Sequence, residues 1–198
     1  MKNKIISFLS TCADDIKNLC TYLYENPEKS YSEVNASNCI CNLLNKYKFE
    51  VDRNFLNINN SFIAKKGQGH PKICYLCEYD AIENEGHITG HNMITAMSVS
   101  ATLALGSVID DIGGSVILVG CPGEYFGGTK GTMVKQGLFD DIDVVMVAHP
   151  DTCTCESGSS SAIIPLGLKF ESESKLSFLN RNSYTSLDLS LIHISDGA

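Results

Sequence analysis

Five side chains of the kinds that move protons or hold cations stand at or just beyond the ends of three apolar runs. Asp80 follows KICYLCEY, Glu124 follows SVILVGC and His149 closes DVVMVAH, while GHITGHN places His87 and His91 in the segment after the first run. Neutral imidazole and carboxylate together suit zinc, and an ion with an open position can activate water. A carboxylate within hydrogen-bond reach of such a water, here Glu124, can take its proton and return it to a leaving amine. Blander roles compete. Each histidine can be a hydrogen-bonded loop residue, and Glu124 can cap a helix starting near Gly127, where its charge meets exposed N–H groups.

The Gly-rich GEYFGGTKG is not a phosphate loop. That pattern needs lysine directly after its second glycine, whereas Gly123 leads in this register to Gly128 and Thr129, with Lys130 one place late. Gly127 and Gly128 fit a sharp turn and close packing. Nine cysteines are irregularly spaced. Cys74 and Cys77 form a CxxC, but inside a strand-like run, where residues three apart point to opposite faces and cannot easily share a metal. Cys39 with Cys41, and Cys153 with Cys155, lack the second half of a zinc-ribbon pattern. Free thiols in a reducing compartment are the expectation.

Elements that could position these residues are readable from periodicity. Ile5, Phe8, Leu9, Cys12, Ile16, Leu19, Cys20 and Leu23 recur at helical spacing, which predicts a helix over about 3–25, stopped before Pro27. Ser30 and Glu33 resemble a capping box opening a second helix. FEVDR and SFIAKK predict two strands joined through the Asn-rich stretch at 57–60. From Lys72 the order is strand, helix over about 92–109, strand, helix over about 129–136, strand. That βαβαβ pattern predicts an α/β fold with a mainly parallel sheet and helices on both faces. Ligands of such sheets sit beyond the carboxyl ends of the strands, where all five chemical residues fall.

At 198 residues and 43% apolar composition the chain can bury a real core. A net charge of −8 offers no basic surface for a phosphate backbone or an anionic membrane, which argues against nucleic-acid and membrane partners. The start has only a short apolar run, from Ile5 to Leu9, so a cytoplasmic protein is expected.

Five ordered stretches, LYENPEKSYSE, EYDAIENEGHITGHN, GGSVILVGCPGEYFGG, GLFDDIDVVMVAHP and ESGSSSA, carry a resemblance. The chain resembles the aminoacylase and carboxypeptidase-type metallopeptidases, in the amidohydrolase branch that includes aminobenzoyl-glutamate hydrolase and β-alanyl-lysine dipeptidase. The resemblance implies that residues 1–163 are the N-terminal part of a zinc-exopeptidase-like catalytic domain and that 164–188 begin an inserted α+β dimerisation domain. It implies two divalent ions, zinc or manganese, a dipeptide or N-acyl amino acid substrate, and a homodimer for a full-length form. Position by position, His91 and His149 match metal histidines and Glu124 the general acid/base, with Asp80 and His87 standing beside the ligands. Thr89 occupies the place of the bridging cysteine, and Tyr125 that of a second glutamate ligand. Residues 189–198 begin with LSLIHI, which matches the translation of a transposase-adapter end and is expected to be non-native.

Loss of a thiolate and a carboxylate leaves a threonine hydroxyl and a phenol in their places, neither anionic near neutral pH. A paired metal centre is therefore expected to fail and hydrolysis to be impaired. The alternatives are a noncatalytic ligand-binding or heteromeric partner, or a truncated or decayed reading frame.

Overall fold

The computed structural model describes residues 1–150; the ESGSSSA stretch, the expected start of a dimerisation domain at 164–188 and the tail expected to be non-native at 189–198 lie outside them. Helix α1 (Lys2–Glu25) buries Cys12, Leu19 and Leu23, and it ends where the Asn26 backbone and side-chain N–H groups both donate to the Tyr22 carbonyl, one residue before Pro27. Helix α2 (Val34–Lys46) is present, but the capping box is not formed. Its first turn is capped by Glu28, which accepts from the Asn35 and Ala36 N–H groups at 3.1 and 2.8 Å. Ser30 and Glu33 are thereby released for the site described below.

Strands β1 (Glu50–Arg53) and β2 (Phe62–Gln68) form an antiparallel pair. Strand β3 (Lys72–Cys77) leads to α3 (His91–Gly106), a short α4 (Ile109–Ile112), β4 (Gly114–Gly120), α5 (Lys130–Lys135) and β5 (Val144–Met146). Helix α3 stops earlier than its periodicity predicts. At Gly106 a Cβ would lie 2.6 Å from the Phe49 ring, so the missing side chain lets Phe49 close the layer as the chain turns towards α4.

The sheet order is β1-β2-β4-β3-β5. Strands β3, β4 and β5 run parallel, whereas β2 pairs antiparallel with β4, so the sheet is mixed, with flanking helices. All seven residues of β4 are buried, as expected for a strand covered on both faces. On one face, Leu19, Leu23, Ile40, Leu44, Val99 and Leu103 from α1, α2 and α3 pack against Phe62, Val116 and Leu118. On the other, Met133 of α5 and the loop residues Phe55, Ile58 and Phe139 cover Ile63, Cys74, Ile117 and Val119. Cys74 and Cys77 do fall on opposite faces, and the seven cysteines of the described residues are free thiols. Burial pushes the Cys74 thiol up to about 12. Among the described residues no helix is long and apolar enough to cross a membrane.

Candidate active site

The carboxyl ends of β3 and β4 supply the site's backbone. Beyond β3 the chain reads Glu78, Tyr79, Asp80. Period-two alternation turns the two carboxylates to one side and Tyr79 into the apolar cluster beneath α1 and α2. Two hydroxyls of α3 tie this segment down: Thr95 Oγ1 donates to the Glu78 carbonyl at 2.5 Å and Ser98 Oγ to the Leu76 carbonyl at 2.6 Å. The Ala81 N–H bonds the Glu28 carbonyl at 2.8 Å, which brings Ser30 against Asp80.

Asp80 is fully buried and fully employed. One oxygen takes the His91 Nδ1 at 2.8 Å; the other accepts from Ser30 Oγ at 2.6 Å and from the Tyr125 N–H at 3.1 Å. Burial alone would raise its pKa, but the bonds from His91, Ser30 and Tyr125 hold it below the ordinary carboxylate range. For His91, burial works downward, yet the Asp80 and Glu78 carboxylates carry the net shift upward. With Nδ1 anchored on a carboxylate, the ring presents Nε2 outward, the orientation seen for metal-ligating histidines.

That Nε2 lies 3.5 Å from Oε2 of Glu78, and the His149 Nε2 lies 3.7 Å from the same oxygen. The Glu78 side chain is 0% exposed, and its Oε2 has no hydrogen-bond partner. Its Oε1 is bonded by the Lys130 ammonium, which also pairs with Glu124 Oε1 at 3.0 Å. Burial would lower the Lys130 pKa, but the Glu78 charge and then Glu124 hold it above the usual lysine range.

Glu124 does not cap α5. It begins a 3₁₀ turn (Glu124–Phe126), and α5 starts at Lys130 with Thr129 as its cap residue. Glu124 Oε2 is buried without a partner, packed so closely on the following turn that a Cβ on Gly128 would lie 2.5 Å from it. The turn is fixed from below by the buried Glu33, which accepts the Gly123 N–H at 2.7 Å. Tyr125 stacks on the His91 ring at 4.5 Å between centroids and shares a hydrogen bond with the Thr89 hydroxyl. The two residues that the resemblance sets at ligand positions therefore engage each other. His87 is buried in the same segment, but neither ring nitrogen has a hydrogen-bond partner; burial and the neighbouring His91 lower its pKa.

The structure thus brings His91, His149 and Asp80 together around Glu78, with Glu124 joined to Glu78 through Lys130. Glu78 and Lys130 were not among the residues expected from sequence. The EYD tripeptide carried a signal for Glu78: two residues before Asp80 on one pleat, it must share that face.

This donor set does not fit a pair of divalent ions. Asp80 has spent both oxygens on His91, Ser30 and a backbone N–H; Glu78 and Glu124 share an ammonium; Thr89 and Tyr125 pair with each other. Among the described residues, no group of three or more His, Cys, Asp or Glu side chains is placed to hold a metal ion.

No family model matches the chain. Over 148 residues, 65% of this chain and 31% of the relative, it is 34% identical to a chain of the p-aminobenzoyl-glutamate hydrolase of Escherichia coli. Over 83 residues, 40% of this chain and 19% of the relative, it is 40% identical to Xaa-Arg dipeptidase of Mus musculus. A dinuclear metal-binding peptidase of Bacillus subtilis has the same fold, with a TM-score of 0.57 at 20% identity, covering 70% of this chain and 42% of that one. The chain spans about a third or less of the length of these curated relatives. Sequence likeness and fold likeness point the same way: the chain resembles the aminoacylase and carboxypeptidase-type metallopeptidases, in their amidohydrolase branch.

Proposed function

We propose that residues 1–163 form one side of a cleft for a dipeptide or N-acyl amino acid, in an amide hydrolase whose own hydrolytic power is reduced. The observation that carries this is the hold of Lys130 on Glu124, 3.0 Å from Oε1, beside the Asp80–His91 pair. Glu124 Oε2 is the atom that would take a proton from an attacking water, and it is free of hydrogen bonds. With Oε1 held by the Lys130 ammonium, Oε2 alone is left for that proton transfer. Zinc or manganese is what the resemblance implies for the family; the donors here do not fit a pair, and no step is routed through one. Residues 164–188 as the start of a dimerisation domain, a homodimer of the full gene product, and a cytoplasmic setting for its free thiols belong to the same proposal.

A noncatalytic binding or heteromeric role is favoured by a separate observation, the Tyr125 ring stacked on His91 with its hydroxyl on Thr89. The E. coli relative is named as one subunit of its hydrolase, which is consistent with a partner chain. Hydrolysis of a dipeptide and N-acyl amino acid panel by the full gene product separates the two. Weak turnover that rises in the Thr89→Cys, Tyr125→Glu double variant supports the impaired hydrolase. Saturable binding with no turnover in either protein leaves the noncatalytic reading and removes the first.

A further inference from the structure

A carboxylate with no solvent exposure cannot stay ionised alone; it must be protonated or matched by a positive group. Glu78 is such a carboxylate, and the structure shows what matches it. Lys130 reaches across from the start of α5 to Oε1 of Glu78 and Oε1 of Glu124, with 27% of its side chain exposed. The first residue of a helix is a poor place for a cation, because the helix dipole favours anions there, so α5 itself does not draw Lys130 in. The two carboxylates do. Each keeps its other oxygen unpartnered, and two imidazole Nε2 atoms lie 3.5 and 3.7 Å from that of Glu78. Take the ammonium away and what is left is oxygen and imidazole donors around uncompensated negative charge; these side chains are not placed to hold an ion as they stand, and would have to close on one to bind it.

We propose that Lys130 is the resident cation of this site: bridging Glu78 and Glu124, its ammonium supplies the positive charge these buried carboxylates need and keeps a divalent ion out. Being part of the chain, it cannot dissociate or be chelated. The site therefore holds its shape in the absence of metal. This inference rests on placing the site at these strand ends, and it is read by metal uptake and thermal midpoint, so its failure is separate from failure of the hydrolysis assay.

The test uses the whole 198-residue chain and manganese, followed by the paramagnetic resonance of the free ion; a hard cation keeps the nine thiols out of the readout. The unaltered protein is expected to take up no stoichiometric manganese and to keep its thermal midpoint in a chelator. Lys130→Met is expected to lower the midpoint, to recover it on adding manganese, and to bind the ion at least about tenfold more tightly than the parent. Lys130→Arg, which keeps a cation, is expected to behave as the parent towards manganese. If Lys130→Met does not fold even with manganese, the Glu78→Gln, Lys130→Met double variant, which needs no counter-charge, is expected to fold and to ignore the ion. Tight manganese binding by the unaltered chain, uptake by Lys130→Arg equal to that of Lys130→Met, or a double variant as unstable as the single one would each overturn the proposal.

Discussion

The middle of β4 and its carboxyl end lie a few residues apart and are built on opposite terms. In the middle, Val116, Ile117, Leu118 and Val119 are buried among apolar neighbours, and every ladder position is paired, β2 on one side and β3 on the other. Beyond Gly120, the same stack of strands ends in Glu78, Asp80 and Glu124, three carboxylates packed around one lysine and one histidine, with a buried Glu33 holding the Gly123 turn and several oxygens left unpartnered. The first region is what stabilises the fold, since burial of apolar area is favourable and needs no partner beyond contact. The second spends stability, because each buried charge must find a specific counter-group. A fold can carry such an end only when its middle is over-provided.

The largest effect expected from breaking this contrast is therefore in the middle. Leu118 is fully buried and lies in register between Ala64 and Tyr75. Leu118→Ala leaves a cavity and is expected to cost about 2–5 kcal/mol in denaturant unfolding. It should leave manganese uptake as it was. A cost under about 1 kcal/mol would mean that the layer can collapse around the gap and that the centre is not the store of stability inferred here.

A smaller effect is expected where the backbone itself serves the site. Gly128 has φ +63, and a Cβ there would stand 2.5 Å from Glu124 Oε2. Gly128→Ala puts a side chain in the left-handed region and against the carboxylate, at roughly 1–3 kcal/mol of strain. Thermal unfolding measures that loss. An unchanged midpoint would show that Glu124 is free to swing aside, which would also weaken its assignment to a fixed position.

The difference between the two regions also governs what could be read from the sequence. Apolar periodicity reports burial against apolar neighbours, so α1, β3 and β4 were legible almost to their ends, as was the sharp turn at Gly127 and Gly128, whereas the exposed β5 stops at Met146, three residues short of His149. The α/β class followed, although β1 and β2 make the sheet mixed because nothing in a four-residue EVDR says which partner it will take or in which direction. Polar assignments depend on partners far away in the chain. Ser30 looked like a helix cap because Glu33 follows at the right spacing, but Asp80, fifty positions on, competes for its hydroxyl and wins. Glu78 passed as the tail of a strand, since its partner Lys130 is 52 residues distant. Glu124 looked like a helix cap for the same reason: the cation that claims it cannot be seen from local spacing.

The smallest effect expected at neutral pH is also the one that resolves the site end most finely. Glu33 lies fully buried under the Gly123 turn, one oxygen bonded by the Gly123 N–H and the other unpartnered. Burial raises its pKa, against the opposing effect of its backbone hydrogen bonds. The folded state therefore binds this proton more tightly than the unfolded chain, whose glutamates titrate near about 4.3. Below that value both states are protonated and the group exacts nothing. As pH rises from there towards the folded value, the unfolded chain releases its proton first and stability falls. Glu33→Gln keeps an oxygen for the Gly123 N–H, so near pH 4 the variant should lie within about 1 kcal/mol of the parent, and its advantage should grow steadily as pH is raised. A series of melts across that window measures the slope. If the two proteins run parallel, Glu33 is ionised and paired in the fold, and the count of charges that Lys130 must balance has to be increased by one.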